Sequence, residues 1–314
     1  MKSHIENLNL NKLDQEYHLE NIKLLIESRK NERLNEKDFR DVFDEKEIED
    51  DLKIVNILEN RFGKDINHLN QEEIIRIENS KKRSEALEII IINEGEINNW
   101  FGENAYLVRT TKFDDFINGF DGILEIDSQG TSINKIQRAA LAIDASMKTD
   151  YYYIKSKIDR NIEKITTKEG QSGIKYFKSA IDDYKGKLEN IIPIVIGVEG
   201  ETVDELIDFC AQLIKLKSNK EKTDNEKTIF KEIQKKIEEH PAQFIFLEEI
   251  KMQLNMYSRL LENKNDEISN LYKQEIKDFV EIINNIIESK KDIIQNKNEI
   301  ENDEIYLIIK NLTK

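Results

Sequence analysis

Apolar residues recur every three or four positions over most of this chain and give way to short runs or alternation only in its middle third. Before residue 80, "LENIKLLIES" and "DDLKIVNILENRF" carry helix periodicity, separated by acidic connectors. "SEALEIIIINEGEINNWFG" predicts a further helix. Three strand-like runs follow, "AYLVRTT", "FDGILEID" and "RAALAIDAS". The charged "YYYIKSKIDRNIEKI" reads as helix and the Gly/Ser/Lys-rich stretch after it as a turn. "ENIIPIVIGV" is continuous in Ile and Val, the pattern of a strand covered on both faces. Helices return with "TVDELIDFCAQLIKL" and "HPAQFIFLEEIKMQLNMYSRLLEN". In the second of these Pro241 suits the first turn, and Phe244, Phe246, Leu247, Ile250, Leu254 and Leu261 form an apolar set for the core.

That order predicts an α/β fold, a small mixed central sheet flanked by helices, with long helical extensions at both ends. The expected division is a helical N-terminal extension over 1–80, an α/β core over 81–217 and a helical C-terminal region over 218–314. From Glu267 onward the apolar positions are scattered without sustained heptads, compatible with packing on the core or on a partner helix.

Composition supports a folded, helix-rich chain: 38% hydrophobic and 35% charged residues, with only 2 prolines and 11 glycines. The single cysteine, Cys210, excludes an internal disulfide, and its apolar neighbours suggest a small buried helix residue. The N-terminal "MKSHIENLNL" lacks the apolar core of a signal peptide. Nor does a run of about 18 uncharged apolar residues occur, so the expectation is a cytoplasmic protein without membrane contact. A net charge of −15 opposes general coating of nucleic acid. The charge is uneven, however. Lys148 to Lys187 holds ten basic and six acidic residues, whereas the first 60 residues hold ten and sixteen.

Candidate chemistry begins with Asp144, at the end of the apolar, small-residue run "ALAID". A carboxylate there is either a strand-end turn or helix-cap residue, or a metal ligand. Strand side chains alternate, so Asp121, Ile123 and Glu125 share one face, as do Ala142, Asp144 and Ser146. If the strands are neighbours, Asp121 and Asp144 converge at one end of the sheet and repel unless a cation lies between them. Such hard oxygen donors suit Mg²⁺ or Mn²⁺, which need one or two carboxylates plus waters and substrate phosphate. Lys148 has the same parity as Asp144 and is placed to steady an attacking water, while Lys155, Lys157 and Arg160 offer a basic helix for nucleic-acid phosphates.

Asp114 and Asp115 are expected to be loop residues bonded to backbone amides, with a ligand role for Asp115 the minor alternative. Gly119 suits a turn, and Glu125 a sheet-edge or salt-bridging carboxylate. Other signatures fail. The histidines His4, His18, His68 and His240 lack ligand spacing, and "IGVEGET" is only a strand-to-helix turn with Thr202 as candidate N-cap. Trp100 and the tyrosines 151–153 suit stacking on bases, but packing at a strand-to-helix junction is the commoner outcome.

The pattern of "NGFDGILEI" followed by "ALAIDAS" resembles the PD-(D/E)XK nuclease superfamily, over roughly residues 82–260. The longer combination is also similar to an uncharacterised bacterial family placed near these nucleases, and "IPIVIGV" and "HPAQFIFLEEIKMQL" fit it. The resemblance implies a restriction-endonuclease-like core, with a Glu-bearing helix before the Asp-bearing strand and an acidic-x-Lys motif on the next. It makes Asp121 and Asp144 metal ligands and one of Glu85, Glu88 and Glu94 the helix acid, with Glu88 favoured because it sits well inside the helix. The chain departs where the pattern places lysine two residues after the acid: Ser146 stands there, so that Lys148, or Lys155 on the following helix, has to substitute. The leading expectation is a Mg²⁺-dependent nuclease-like hydrolase. The alternative is an inactive nuclease-fold scaffold that binds proteins through its terminal helices, and an antitoxin-like or regulatory helical protein is a weaker third.

Overall fold

The computed structural model describes residues 2–64, 69–127, 139–167, 173–293 and 297–314. The protein is a mixed α/β structure built on a small four-stranded sheet flanked by helices. Its strands are β1 (Ala105–Arg109), β2 (Gly122–Ile126), β3 (Ala139–Ser146) and β6 (Ile192–Gly197). They lie in the order β1-β2-β3-β6, with β1/β2 and β2/β3 antiparallel and β3/β6 parallel. A separate hairpin, β4 (Gly173–Lys178) with β5 (Lys185–Glu189), falls where the sequence suggests only a turn. The glycine-bearing residues 168–172 of that turn lie outside the described residues.

The helices are α1 (Lys2–Arg29), α2 (Glu45–Lys64), α3 (Gln71–Ile89), the short α4 (Gly95–Ile97) and α5 (Lys112–Asn118). Then come α6 (Tyr151–Thr166), α7 (Gly200–Ser218), α8 (Asp224–Glu238), α9 (Ala242–Leu261), α10 (Glu267–Ser289), α11 (Lys297–Asn302) and α12 (Glu304–Leu312). A reciprocal capping box between Asn70 and Glu73 starts α3. The helix passes through a π turn at Ile90–Glu94, which helps bury the run Ile89–Ile92. Asp150, immediately before α6, caps it by accepting from the Tyr153 N–H at 2.7 Å.

Alternation along the strands divides two cores. Leu124, Ile126, Leu141 and Ile143 face the large cluster shared with α3, α7 and α9, whereas Ile123 and Ala142 face Phe120, Ile174, Phe177 and Ile191 beneath the hairpin. β6 is an edge strand, which tolerates Pro193, and its open backbone is covered by side chains of α9. The Gln253 amide donates to the Val195 carbonyl at 2.6 Å and its oxygen accepts from the Val195 N–H at 3.0 Å. Glu249 accepts from Gly197 N–H at 2.8 Å, and Tyr257 donates to the Pro193 carbonyl at 3.0 Å. The expected core residues of α9, from Phe244 to Leu261, are all buried.

The outer helices pack onto this core. α1 lies against α3 and α7, α2 against α5, α10 against α9 and α6, and α12 against α9 and α6. Cys210 is buried, as expected. Three local expectations are corrected. Glu199, not Thr202, is the N-cap of α7. Asp114 lies on α5 rather than a loop, yet bonds backbone as expected, accepting from the Lys175 and Tyr176 amides at 2.8 and 2.9 Å. Glu125 is fully buried, because its carboxylate holds the hairpin by accepting from Ser179 Oγ and the Ala180 N–H. His240 is buried and accepts from the Ala242 N–H at 3.1 Å, at the start of α9. The side chains of His4 and His68 lie outside the described residues. Among the described residues, no helix is long and apolar enough to cross a membrane.

Candidate active site at the end of the sheet

The β2/β3 register pairs Gly122 with Ile143, which sets Asp121, one residue before β2, opposite Asp144. The Asp121 backbone continues the ladder: its N–H donates to the Ile143 carbonyl at 2.8 Å and its carbonyl accepts from Thr110. Side-chain alternation then sends both carboxylates to the same face, as the spacing predicts. Asp121 Oδ2 accepts from the Ala145 N–H at 2.7 Å, ending the ladder with a side chain in place of a carbonyl.

Two more carboxylates reach this end. Glu88 stands on α3, and Asp115 stands on α5, whose start is fixed by the Thr111 cap and whose end is fixed by left-handed Gly119 at φ 70°. Burial drives the Asp121 carboxyl well above its ordinary range, and the charges of Glu88, Asp144 and Asp115 push the same way, while Lys157 opposes them. Protein surrounds Asp121, yet part of its surface stays open. Glu88 is raised to about 7, first by burial and then by Asp115, against the pull of Arg109 and Arg33.

Cations interleave with these acids. Lys157 donates to Asp144 Oδ1 at 2.5 Å, and Arg160 donates to Asp144 Oδ2 at 3.1 Å. Burial would lower the Lys157 ammonium, but Asp144, with Tyr153 and Asp121 adding to it, more than restores it. Arg109 on β1 bridges Glu88 at 3.2 Å and Glu85 at 3.3 Å. Arg33, on the connector after α1, donates to Asp115 Oδ2 at 2.5 Å and to the Thr110 carbonyl at 2.9 Å.

The sequence candidates sort as follows. Asp121, Asp144 and Glu88 come together at one end of the sheet. Glu85 lies further out on Arg109, and Glu94 is buried beside Asn98, with Arg29 at 3.7 Å. Lys148 does not take the lysine place. It is exposed, with its ammonium 4.2 Å from the Tyr153 ring centroid, and Lys155 is an exposed partner of Asp159. The ammonium at Asp144 is that of Lys157, because α6 turns back over the end of β3 and its second turn, not the connector, faces the acid. Lys157 and Arg160, expected as phosphate contacts, are held by Asp144 instead. Trp100 is fully buried and donates to the Ile237 carbonyl, so it packs rather than stacks on a base, whereas Tyr152 is 78% exposed. Arg33 and Arg109 escape sequence reasoning, since nothing local marks an arginine that reaches across the fold.

The donor set is chemically suited to a hard divalent cation: oxygen only, with two carboxylates facing across adjacent strands. Among the described residues, no group of three or more His, Cys, Asp or Glu side chains is placed to hold a metal by itself. Waters or a substrate phosphate therefore have to complete the coordination of any ion held there.

No protein-family model matches the chain, and neither a curated protein nor a solved structure matches it.

Proposed function

We propose that this protein is a Mg²⁺- or Mn²⁺-dependent hydrolase of nucleic-acid phosphodiesters, with a restriction-endonuclease-like core formed by α3, β1–β3, α6 and β6. The observation that carries this reading is Asp121 facing Asp144 across the β2/β3 register, with Glu88 beside Asp121 and Lys157 on Asp144. With α5 inserted between β1 and β2 and the β4/β5 hairpin between α6 and β6, the helix α3, the sheet strands β1–β3, the helix α6 and the strand β6 follow the order that the PD-(D/E)XK resemblance implies, which supports the reading.

Asp121 and Asp144 would hold the metal ion. When bound there, such an ion would supply Lewis-acid polarisation of the phosphate and a more acidic water. Glu88, raised to about 7, would be the residue to accept a proton from an attacking water near physiological pH. Lys157 has its ammonium at the same carboxylates and stabilises charge that develops on the phosphate, taking the place expected of Lys148. Arg160, 46% exposed, is free to swing from Asp144 to a backbone phosphate.

One observation favours the scaffold alternative: both oxygens of Asp144 are already neutralised by Lys157 and Arg160. The two readings part in one experiment. Mn²⁺ is titrated into the wild-type protein and into its Asp121→Asn/Asp144→Asn double variant by calorimetry, beside cleavage of end-labelled single- and double-stranded oligonucleotides. Saturable binding and cleavage that both vanish in the folded double variant support the hydrolase. No binding and no cleavage by the wild type refute it and leave the scaffold.

A further inference from the structure

Tyr151, Tyr152 and Tyr153 open α6 directly after the connector that leaves β3, and their side chains part ways. The helix buries Ile154, Ile158, Asn161 and Ile165, so Tyr152 falls on the opposite face. It is 78% exposed, more than any other large apolar side chain among the described residues. Tyr151 is exposed too, and the two rings meet edge to face with centroids 5.5 Å apart at 87°. Tyr153 turns the other way. The Lys148 ammonium lies 4.2 Å from its ring centroid and the Lys157 ammonium 5.0 Å from it. Lys157 in turn holds Asp144, so an unbroken line of contacts runs from the exposed connector to the end of the sheet.

A lone exposed tyrosine is ordinary on a protein surface. Here an exposed ring pair stands beside a lysine whose ammonium no acid holds among the described residues, one contact away from the candidate site. The charge of the segment fits an anionic partner. Residues 148–160 carry the four bases Lys148, Lys155, Lys157 and Arg160 against the two acids Asp150 and Asp159, in a chain of net charge −15. We propose that Tyr151, Tyr152 and Lys148 form a landing surface for single-stranded nucleic acid, an unpaired base stacking on Tyr152 while an adjoining phosphate rests on Lys148 and the strand continues towards Asp144. This rests on the nucleic-acid reading above. Stacking on an aromatic side chain needs a free base face, which a single strand offers and a paired duplex covers. Asp150 already fills the N-terminus of α6 with its own carboxylate, so a phosphate there is left to Lys148 rather than to the helix amides. Lys148 thus has a task apart from the lysine place that Lys157 takes.

The test is fluorescence anisotropy of a labelled oligothymidylate and of a labelled duplex, in EDTA so that no cleavage intervenes. Tyr152→Ala should bind the single strand roughly tenfold more weakly than wild type, the effect of one lost base stack, and the duplex unchanged. Tyr152→Phe keeps the ring and should stay within about twofold of wild type. Lys148→Gln should reduce the slope of log affinity against log salt by about 0.7, the value for one phosphate on a single strand. Tyr17→Ala removes an exposed tyrosine on α1, with the Lys215 ammonium 4.6 Å from its ring centroid, and should leave affinity unaltered. Unchanged single-strand affinity in Tyr152→Ala, an equal loss in Tyr17→Ala, or an unchanged salt slope in Lys148→Gln overturns the inference. The same oligonucleotides are then incubated with Mn²⁺. Cleavage by a wild-type protein whose single-strand affinity ignores Tyr152 overturns the landing surface alone. Binding that depends on Tyr152 without any cleavage supports the landing surface and refutes the hydrolase. Neither binding nor cleavage overturns both.

Discussion

Lys157 meets Asp144 across thirteen positions of chain, with both side chains nearly removed from water. A buried pair of this kind adds little over an apolar replacement, but removing one member leaves an uncompensated charge. Lys157→Met is therefore expected to cost about 2 kcal/mol, below the usual 3–5 kcal/mol for a severed buried pair because Arg160 remains on Asp144. Adding Asp144→Asn to Lys157→Met should recover most of that loss, and urea denaturation of the two proteins reads the difference. If the double variant is no more stable than the single one, the charge argument is wrong. At this scale the sequence shows the acids better than the bases. Asp121 and Asp144 are legible because strand alternation fixes their face. Lys157 is not, because the phase of a helix relative to the sheet depends on a turn, Met147–Asp150, whose path no spacing rule supplies. Arg33 lies 82 residues from its partner Asp115, beyond any local pattern.

At the scale of elements, the parallel contact of β3 with β6 decides how the site end is held. Gly197 pairs with Ser146, and a Cβ on Gly197 would come within 2.2 Å of the Ser146 carbonyl oxygen. Backbone cannot yield as a flexible side chain does, so Gly197→Ala must part the two strands next to Asp144. The expected cost is at least about 3 kcal/mol, at the upper end of overpacking effects, measured as a shift in the thermal midpoint. A Gly197→Ala protein within about 1 kcal/mol of wild type would show that the strands are not so closely apposed. Sequence pattern locates the four strands of the sheet and the helices α3, α6, α7 and α9 around them, since their apolar runs and periodicities are strong, but reads the segment of α5 as loop. It misses β4 and β5, and the reason lies in their residues. "GIKYFK" and "KGKLE" are polar on the solvent side, carry a register irregularity between Ile174 and Phe177, and include Gly186 at φ 150°. Nor does it show that Glu249 and Gln253 dress the backbone of β6, for polar residues on a helix otherwise apolar look like surface until the edge strand they serve is known.

Over the whole molecule the acid excess gives stability a definite slope with pH. Glu88 is raised to about 7 in the folded protein, so the unfolded chain gives up that proton first and folding is increasingly disfavoured as pH climbs from about 4.5 towards 7. His18 acts in the same direction by a different route. It is raised first by its hydrogen bond to Asp204, at 2.8 Å, with Asp208 at 3.5 Å on the other ring nitrogen, against the opposing effect of burial. A raised imidazole contributes stability that is complete below its unfolded value near 6.5 and is lost as pH rises through the folded value. This bond ties α1 to α7, beside the Arg83–Asp204 pair from α3 and the Asn21–Asp208 and Lys215–Asn21 contacts, so its loss loosens the helix that leads to Arg33. Lys164, lowered to about 8 chiefly by burial, has the opposite slope but titrates only above that pH. Glu275, raised to about 7 by burial and then by Asp278, slopes the same way as Glu88, so between pH 6 and 7.5 three downward slopes stand unopposed by Lys164. Unfolding free energy should fall across that window by about 1 kcal/mol from each of Glu88 and Glu275, with a smaller part from the partly exposed His18. Glu88→Gln and Glu275→Gln should each remove a comparable part of the slope. His18→Gln removes the smaller part and abolishes the rise in amide exchange of residues 19–29 that wild type shows on going from pH 6 to 7.5. Denaturant midpoints that rise with pH in the wild-type protein would contradict these assignments. An unchanged exchange profile in His18→Gln would locate the attachment of α1 in the Arg83 and Asn21 contacts alone.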